Sequence, residues 1–500
     1  MKLIPETKQA KYKTLCFFII FSAISYIACP ENVWCTSEGK KLEEKINAIV
    51  RKHKPEGASV GISIISISEN KQLFKLNPDK SFIVASNMKL FTTAAALHYL
   101  GPNFKYKTRV YYRGKISKGR LNGDIIIKGC GDPNISGRFY EDEITAVPTS
   151  WADSVKKKGI KVITGDIIAD DSIFDREYVH DNWPKDQLSE WYCAPISGLS
   201  FNDNCVDIEI KPNKKPGAPA YIQIEPKTSY VKVINKCKTT SVESKHSYSL
   251  YRKPLTNHIY VEGYVWSKKE PEEEWITVHN PPLYTATVFK EILESKDIRI
   301  MGKARVVNGS DLNAKRKLRK LASTTSYLRQ SIEVTNRHSQ GFYAEQILKT
   351  LGARIKKKGS FSAGLSVVKK FITKLGFSEE QYQLDDGSGL SQKNKLTPNM
   401  ITKLLRFMYK HKHGRVFFES LPIPGTDSTL EKRLKKEPYS SKIRAKTGYI
   451  NGTSTLSGYV ETLNEEVIVF SILVNKVKQG SIWKAKRLQD AICRLLVAYN

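Results

Sequence analysis

The sequence predicts an α+β fold in which an antiparallel sheet flanked by helices is interrupted by a long β-rich segment. Both ends of the 500-residue chain carry helical and strand patterns, whereas residues 103–321 carry mostly short alternating runs separated by turn residues. A chain of this length exceeds a single ordinary hydrophobic core, so more than one domain is expected. These observations predict one sheet-and-helix domain, split in the chain, with a β-rich insertion.

The predicted sheet-and-helix domain comprises residues 38–102 and 322–500. Its helices show apolar residues at a spacing of three or four, and its strands are β-branched, partly alternating runs. The segments, in chain order, are a helix at 41–52, strands at 58–68 and 72–76, a helix at 86–100, helices at 342–351, 362–375 and 397–410, strands at 453–461 and 466–474, and a helix around 488–495.

The insertion, residues 103–321, is predicted to be rich in strands and to form two subdomains. Apolar and polar residues alternate there in short runs bounded by turn residues, and few helical patterns occur. The strand candidates are 107–112, 123–128, 162–169, 205–211, 221–226 and 259–266.

The first 35 residues are typical of a signal peptide or an N-terminal anchor rather than of a folded domain. Four lysines precede an apolar run of 14 residues, at 15–28. This run is short for a membrane span and suits the core of a signal peptide. We therefore expect export to the periplasm or cell envelope. Cleavage of the leader and its retention as a membrane anchor both stay open.

The chain is strongly basic, with a formal net charge of +31. A field of this sign attracts polyanions. The lysines, however, are spread along the whole chain, and no single basic block or aromatic RNA-binding signature occurs. We therefore interpret the charge as solvated lysines on many faces and expect no nucleic-acid partner.

Eight cysteines are present, and no spacing of cysteine and histidine indicates a metal site. No cofactor is expected. Export would permit a disulfide, for which Cys193, Cys205 and Cys237 are close enough in sequence. Buried free thiols are an equally good interpretation.

Ser86 and Lys89 lie three residues apart at the start of a predicted helix. This spacing places a hydroxyl and an amine on one helix face, one turn apart. The helix start supplies free N–H groups and the positive end of the helix dipole, which suit a nucleophile whose attack creates an oxyanion. Lys89 could accept the proton if burial lowers its pKa. An N-cap serine beside a surface lysine is the alternative, because Ser68 and Ser154 have the same spacing to a lysine.

Two further segments carry residues suited to the same chemistry. Lys446, Thr447 and Gly448 precede strand-like sequence, and an edge strand can pair with an extended peptide. Lys446 and Thr447 offer a cation and a hydroxyl to a terminal carboxylate, and Gly448 permits close approach of the backbone. Ser339 begins a predicted helix, where its hydroxyl could relay a proton. Taken singly, a turn glycine beside a surface lysine and an N-cap serine explain these residues equally well.

In this order the three segments resemble the motifs of the class C low-molecular-mass penicillin-binding proteins. These are D-alanyl-D-alanine carboxypeptidases and endopeptidases with a long insertion after the nucleophile. The resemblance covers nearly all of the chain after residue 40, and it implies that the split domain is a penicillin-binding-protein/β-lactamase-like transpeptidase domain. Further segments that match the family are 123–133, 191–204, 336–345, 386–391 and 425–430.

The resemblance implies a role for each of the residues in the three segments. Ser86 would be the acylated nucleophile and Lys89 its general base. Ser339 would shuttle the proton, and Lys446 and Thr447 would hold the substrate carboxylate. The reaction would be acyl transfer from a D-Ala-D-Ala bond of a peptidoglycan stem peptide, followed by hydrolysis. β-Lactam antibiotics would be covalent inhibitors.

Three further residues receive roles from the same resemblance. The backbone N–H of Tyr449, together with that of Ser86, would form the oxyanion hole. Asp170 could bind the amine of a diamino acid, although paired aspartates in a turn usually face water. Gly341 stands where the family has an asparagine whose side chain contacts the substrate amide, so we expect a slow but real enzyme.

Several other functions stay open on the sequence alone. A catalytically silent homologue that binds wall peptides would explain the loss of the asparagine at Gly341. A basic polyanion-binding protein would make the three segments incidental, and the leader argues against it. A serine β-lactamase is disfavoured by the long insertion and by the lack of an evident carboxylate for deacylation.

Overall fold

The computed structural model describes residues 37–307 and 317–499, so the predicted leader lies outside the described residues. The helices are α1 (Ser37–His53), α2 (Met88–Tyr99), α3 (Ala146–Lys157), α4 (Pro281–Ser295), α5 (Leu328–Arg337), α6 (Gly341–Ile355), α7 (Phe361–Lys374), α8 (Pro398–Tyr409), α9 (Gly414–Glu419), α10 (Tyr439–Lys442) and α11 (Ile482–Val497). The strands are β1 (Ser59–Ser66), β2 (Gln72–Leu76), β3 (Phe82–Ile83), β4 (Lys105–Ser117), β5 (Arg120–Lys128), β6 (Val162–Ile163), β7 (Ile167–Asp170), β8 (Cys205–Lys211), β9 (Tyr221–Glu225), β10 (Lys232–Thr240), β11 (Ser247–Arg252), β12 (His258–Trp266), β13 (Glu272–Thr277), β14 (Arg299–Ile300), β15 (Ala304–Val307), β16 (Arg319–Tyr327), β17 (Lys395–Leu396), β18 (Ile443–Ile450), β19 (Thr453–Glu461) and β20 (Val467–Asn475).

Five antiparallel strands from the two ends of the chain form one sheet in the order β18–β19–β20–β1–β2. Strand β20 is buried on both faces, and its side chains alternate between two cores. Phe470 and Ile472 join the core beneath α1 and α11, whereas Val469 and Leu473 join the core that contains α2. Helices therefore cover both faces of the sheet, and β18 is left at one edge.

Helix α2 runs through the middle of the second core. Its residues from Met88 to Leu97 are all buried, which is the pattern of a helix surrounded on every side by protein. Apolar side chains of α5, α6, α7 and α8 belong to the same core, among them Ile332, Ile347, Phe371 and Leu404. The start of α2 is thereby held in a fixed position relative to the sheet edge.

The residues between α2 and α5 form three sheets. A seven-stranded mixed sheet runs β14–β6–β5–β4–β16, with β7 beside β5 and β15 beside β7. Two three-stranded sheets have the orders β13–β8–β9 and β10–β12–β11. The predicted α+β class with a large β-rich region is confirmed. The division of this region into two subdomains and the exact domain limits stay predictions.

Two helices in the β-rich region, α3 and α4, were not among the predicted segments. Prolines lie in the first turn of each, at Pro148 in α3 and at Pro281 and Pro282 in α4. Proline is accepted there because the first-turn N–H groups have no partner within the helix. Trp151 and Phe289 pack these two helices against each other within the core of the region.

All five cysteines in the described ranges are free and buried. Cys193, Cys205 and Cys237 therefore form no disulfide with one another, and the interpretation as buried thiols is confirmed for them. Cys16, Cys29 and Cys35 lie outside the described residues. Within residues 37–307 and 317–499, no helix has the length and apolarity that crossing a membrane requires.

Candidate active site

Ser86 lies in a single 3-10 turn, Ala85–Asn87, immediately before α2 begins. The preceding Ala85 has a φ of +45°, a left-handed conformation that costs energy for a residue with a side chain. Gly389 presses against this turn, because a Cβ there would lie 1.8 Å from the Ala85 carbonyl oxygen. The hydroxyl of Ser86 is thus presented by a strained turn rather than by the first regular turn of the helix.

Lys89 is buried and directed at Ser86. Its Nζ lies 2.9 Å from Ser86 Oγ and donates a second hydrogen bond of 2.7 Å to the carbonyl oxygen of Ser388. Burial lowers the pKa of Lys89 to about 8, and the carboxylates of Asp386 and Glu345 oppose this shift. A substantial fraction of Lys89 is therefore neutral near pH 8 and able to accept the serine proton.

Lys446 forms the second lysine–serine contact of the site. Its Nζ donates hydrogen bonds of 2.9 Å to Ser339 Oγ and to the Thr447 carbonyl oxygen. Burial, followed by the positive charge of Lys89, lowers the pKa of Lys446 well below its ordinary value. In the part of the chain that the structure describes, no carboxylate forms an ion pair with Lys446. An anion entering the site would raise the pKa of Lys446 and favour its charged form.

The two lysine–serine pairs lie in one pocket. Asn87 connects them, because its Nδ2 donates a 3.1 Å hydrogen bond to the carbonyl oxygen of Lys446. Ser339 itself has a left-handed φ of +61°, and Ala85, which precedes Ser86, is also left-handed. Strained backbone therefore positions both serines. The structure thus brings together four residues that are up to 360 positions apart, from Ser86 to Lys446.

Strand β18 forms the wall of the pocket at the sheet edge. Gly448 has no room for a side chain, because a Cβ there would lie 2.2 Å from Thr455 Oγ1 and 3.0 Å from the Ser86 nitrogen. The strand can therefore pass close to the nucleophile. Thr447 Oγ1 donates a 2.8 Å hydrogen bond to Thr429 Oγ1, and the side chain of Tyr449, two residues further along the strand, is exposed.

Gly341 is the first residue of α6 and lies beside the same pocket. A Cβ there would lie 3.2 Å from the carbonyl oxygen of Tyr192 and 3.7 Å from Ser388 Cβ. Its backbone φ is not in the left-handed region. A side chain at this position would therefore enter the pocket next to Ser388, with a small adjustment at Tyr192.

Asp170, by contrast, forms no hydrogen bond or ion pair with the described residues of the pocket. It ends strand β7, and its buried carboxylate accepts a 3.1 Å hydrogen bond from the backbone N–H of Ser172. The other oxygen lies 3.7 Å from Lys128 Nζ and has no hydrogen-bond partner among the described residues. A role in binding substrate stays a prediction for this residue.

The chain matches one protein-family model over almost its whole described length. Residues 42–497 match the D-Ala-D-Ala carboxypeptidase 3 (S13) family. The chain belongs to this family. It is therefore a serine-type D-Ala-D-Ala carboxypeptidase, and its membership of the family argues against an unrelated basic protein.

Relatives of this carboxypeptidase carry the same description. The D-alanyl-D-alanine carboxypeptidase of Actinomadura sp. (strain R39) is 28% identical over 470 residues, which cover 92% of this chain and 85% of the relative. The D-alanyl-D-alanine carboxypeptidase DacB of Haemophilus influenzae is 26% identical over 436 residues, covering 86% of this chain and 88% of the relative.

A solved structure has the same fold. The crystal structure of penicillin-binding protein 4 (dacB) from Haemophilus influenzae superimposes with a TM-score of 0.75 at 24% identity, covering 88% of this chain and 97% of that one. A second structure of that protein, complexed with a novel β-lactam, has a TM-score of 0.72 at 25% identity and covers 90% and 98% of the two chains. The predicted penicillin-binding-protein fold is confirmed.

Two buried carboxylates of the carboxypeptidase, Glu345 and Asp386, fix the loop beside Lys89. Neither of them was assigned a role from the sequence. Glu345, on α6, accepts hydrogen bonds from the backbone N–H groups of Gly387, at 2.9 Å, and Ser388, at 2.7 Å. Burial, reinforced by the charge of Asp386, raises the pKa of Glu345 to about 8, against the effect of these N–H groups. Glu345 therefore fixes the backbone of Ser388, whose carbonyl oxygen accepts a hydrogen bond from Lys89.

Asp386 fixes the other side of the same loop. Its carboxylate accepts hydrogen bonds of 2.7 Å from the backbone N–H groups of Gly389 and Ser391 and one of 3.0 Å from Trp183 Nε1. Both acids lie in segments that resemble the family, which is the signal that could have identified them. Over the described ranges, no group of three or more His, Cys, Asp or Glu residues is arranged to hold a metal ion.

Proposed function

We propose that this carboxypeptidase works through an acyl-enzyme on Ser86, with Lys89 as the general base. The observation that carries the proposal is the 2.9 Å contact between Lys89 Nζ and Ser86 Oγ, made by a buried lysine whose pKa is lowered to about 8. A base whose pKa lies near neutrality and whose nitrogen contacts the nucleophile can accept the proton of the nucleophile during attack.

In the proposed acylation, Ser86 Oγ attacks the carbonyl carbon of the D-Ala-D-Ala bond and its proton passes to Lys89. The oxyanion is stabilised by the backbone N–H groups of Ser86 and Tyr449. Collapse of the intermediate breaks the C–N bond, and the proton held by Lys89 passes through the Ser339 hydroxyl to the departing amine. Lys446, 2.9 Å from Ser339 Oγ, orients that hydroxyl. Water then attacks the ester and gives a proton to Lys89, which returns it to Ser86 Oγ as the shortened peptide is released.

The terminal carboxylate of the substrate is proposed to bind Lys446 and Thr447. Lys446 is buried and forms no ion pair among the described residues, so a carboxylate would restore charge balance around it. Thr447 Oγ1, which contacts Thr429, can turn to the same anion. A free C-terminus is thereby preferred over an internal peptide bond.

The proposed substrates are peptidoglycan stem peptides, met by an exported enzyme in the periplasm or cell envelope. The leader predicted from residues 1–35 supports export, and its retention would anchor the enzyme to the membrane. β-Lactams are proposed to acylate Ser86, since the structurally similar Haemophilus protein was solved with a β-lactam. Asp170, whose free oxygen is buried, is proposed to bind the amine of a diamino acid in the peptide.

The experiment that tests the proposal is release of D-alanine from a synthetic peptide ending in D-Ala-D-Ala. Wild type should release D-alanine, and Ser86→Ala should not. Ser154→Ala is the matched control, because Ser154 also lies three residues before a lysine but on the exposed side of α3. Equal release by wild type and Ser86→Ala, or none by wild type, would overturn the proposal.

A further inference from the structure

A second cleft lies at the opposite side of the main sheet from β18. It has a volume of about 770 Å³ and is formed by the end of α1, the start of β1, the end of β2 and the residue after β20. Since β1 and β2 are separated from β18 by two other strands, the cleft is distinct from the carboxypeptidase pocket. None of the residues assigned to the pocket lines it.

Four cations from separate segments line this cleft. Arg51 lies in the last turn of α1 and Lys54 follows that helix directly. Lys80 lies in the turn after β2, and Lys476 follows β20 directly. All four side chains are exposed, and none of them forms an ion pair within residues 37–307 and 317–499. The cleft therefore offers four cationic groups without an acidic partner in the part of the chain that the structure describes.

The acid that lines the cleft is already paired elsewhere. Glu56 lies 3.2 Å from Lys478 Nζ, which is not itself a lining residue. The positive character continues outside the cleft, because Lys52 and Arg487 both act on His53 and lower its pKa, after burial. A concave surface lined by one sign of charge concentrates counter-ions within it.

The helix dipole does not explain this arrangement. Basic residues are common in the last turn of a helix, where they offset the partial negative charge of the carbonyl end, and this accounts for Arg51 in α1. Lys80 and Lys476 belong to no helix, yet they line the same cleft. Because these two lysines lie in the same cleft as the end of α1, an anion bound in the cleft explains the four cations better than the helix terminus does.

We propose that this cleft binds a linear phosphate-bearing anion of the oligophosphate class. Lysine and arginine are the usual protein ligands of phosphate, and four of them match an anion with several negative charges. The lining also includes Asn47 and Ser59, whose polar side chains can hydrogen-bond phosphate oxygens. The concave shape suits a chain laid into the cleft better than a flat membrane surface.

The probe for the test is inorganic tripolyphosphate, titrated into the full-length protein at low salt by calorimetry. Lys54→Glu/Lys80→Glu should weaken its binding at least tenfold, because both changes place a negative charge in the cleft. Lys214→Glu/Lys215→Glu is the matched control, since it alters net charge equally in an exposed turn of the insertion. This control should change the affinity less than twofold, and both variants should keep D-alanine release.

Several outcomes would overturn the inference. Equal weakening by the two double variants would show that net charge alone attracts the anion, and absence of binding by wild type would end the proposal outright. Vesicles with anionic lipid provide a further arm. Tight vesicle binding that Lys54→Glu/Lys80→Glu abolishes, without tripolyphosphate binding, would assign the surface to a membrane instead. If the glutamate variant fails to fold, Lys54→Gln/Lys80→Gln should still weaken binding more than Lys214→Gln/Lys215→Gln.

Discussion

At the scale of single residues, Gly341 is the departure from the family pattern that is expected to slow the enzyme. A Cβ at this position would lie 3.2 Å from the Tyr192 carbonyl oxygen, which must shift slightly, and 3.7 Å from the Cβ of Ser388, whose carbonyl binds Lys89. The resemblance to the family implies an asparagine at this point, and a missing hydrogen bond to substrate typically costs about 1–3 kcal/mol. This enzyme is therefore expected to acylate slowly while keeping an intact nucleophile.

Gly341→Asn should accelerate acylation by a penicillin about ten- to a hundredfold, because it restores one amide contact in the transition state. The measurement is the second-order rate of labelling with a fluorescent penicillin. Gly341→Ala is the control, since its Cβ makes the same contact with the Tyr192 carbonyl oxygen but carries no amide group. An unchanged rate for Gly341→Asn would show that the missing amide does not limit the enzyme.

The pH dependence of acylation depends on Lys89. Only neutral Lys89 can accept the proton of Ser86, and burial lowers its pKa to about 8. The rate should therefore rise about tenfold per pH unit below that value and level off above it. Labelling rates measured across this range test the sign, and a rate that stays flat or falls as pH rises toward 8 would exclude Lys89 as the base.

At the scale of elements, the loop at 385–391 matters because it holds Lys89 in place. Glu345, on α6, accepts hydrogen bonds from the backbone N–H groups of Gly387 and Ser388, so these bonds attach the loop to α6. Removing this acceptor would leave two buried N–H groups without partners. Each such loss costs about 1–3 kcal/mol, and the Ser388 carbonyl would no longer be fixed against Lys89.

Glu345→Ala should therefore lower both the free energy of unfolding and the acylation rate. Glu345→Gln keeps an oxygen that can accept from both N–H groups, so it should retain most of the stability. Glu345, whose own pKa is about 8, is charged mainly at and above that pH, where its charge raises the pKa of Lys89, so Glu345→Gln should bring the levelling-off of the pH–rate profile to lower pH. Urea unfolding and the pH profile together test this, and an unshifted profile in Glu345→Gln would contradict it.

The sequence predicted many elements closely and the loop contacts poorly. The strand predicted at 72–76 is β2, with the same limits, because alternation and turn residues mark its ends locally. The 3-10 turn at Ser86 was expected to be the first turn of a helix. Its form depends on Gly389, which is 303 positions away from Ser86 in the chain, and local periodicity carries no information about such a contact.

At the scale of the whole molecule, the β-rich region and the catalytic part meet at Asp203. Its carboxylate accepts a 3.1 Å hydrogen bond from the hydroxyl of Tyr343, on α6, and a 3.2 Å hydrogen bond from Arg138. Helix α6 begins at Gly341 beside the pocket. The insertion is thus tied to the helix that forms one side of the active site.

Asp203→Ala should destabilise the protein by about 1–3 kcal/mol, because the buried Tyr343 hydroxyl loses its acceptor. Asp153→Ala is the matched control, as Asp153 pairs with Lys296 at the surface and such pairs contribute little. The measurement is the free energy of urea unfolding for both variants. Equal and small losses would show that Asp203 does not connect the two regions.

Long-range organisation was predictable where a family pattern supplied it. The order of Ser86, Ser339 and Lys446 in the sequence indicated one pocket, and the structure places their side chains in two linked lysine–serine contacts. Asp170 had only a family analogy and lies in the β-rich region with Lys128 as its charged neighbour. The cleft that Arg51 and Lys476 share could not be foreseen, since those residues are far apart in sequence and carry no common pattern.

The most direct test of the central claim is the mass of the intact protein after exposure to a penicillin, followed by peptide mapping. The structure predicts a single penicilloyl adduct on Ser86, because Lys89 contacts the hydroxyl of Ser86 and no other serine hydroxyl among the described residues. Ser86→Ala should show no adduct. An adduct on another serine, or an unmodified wild-type protein after prolonged exposure, would contradict the assignment of Ser86 as the nucleophile.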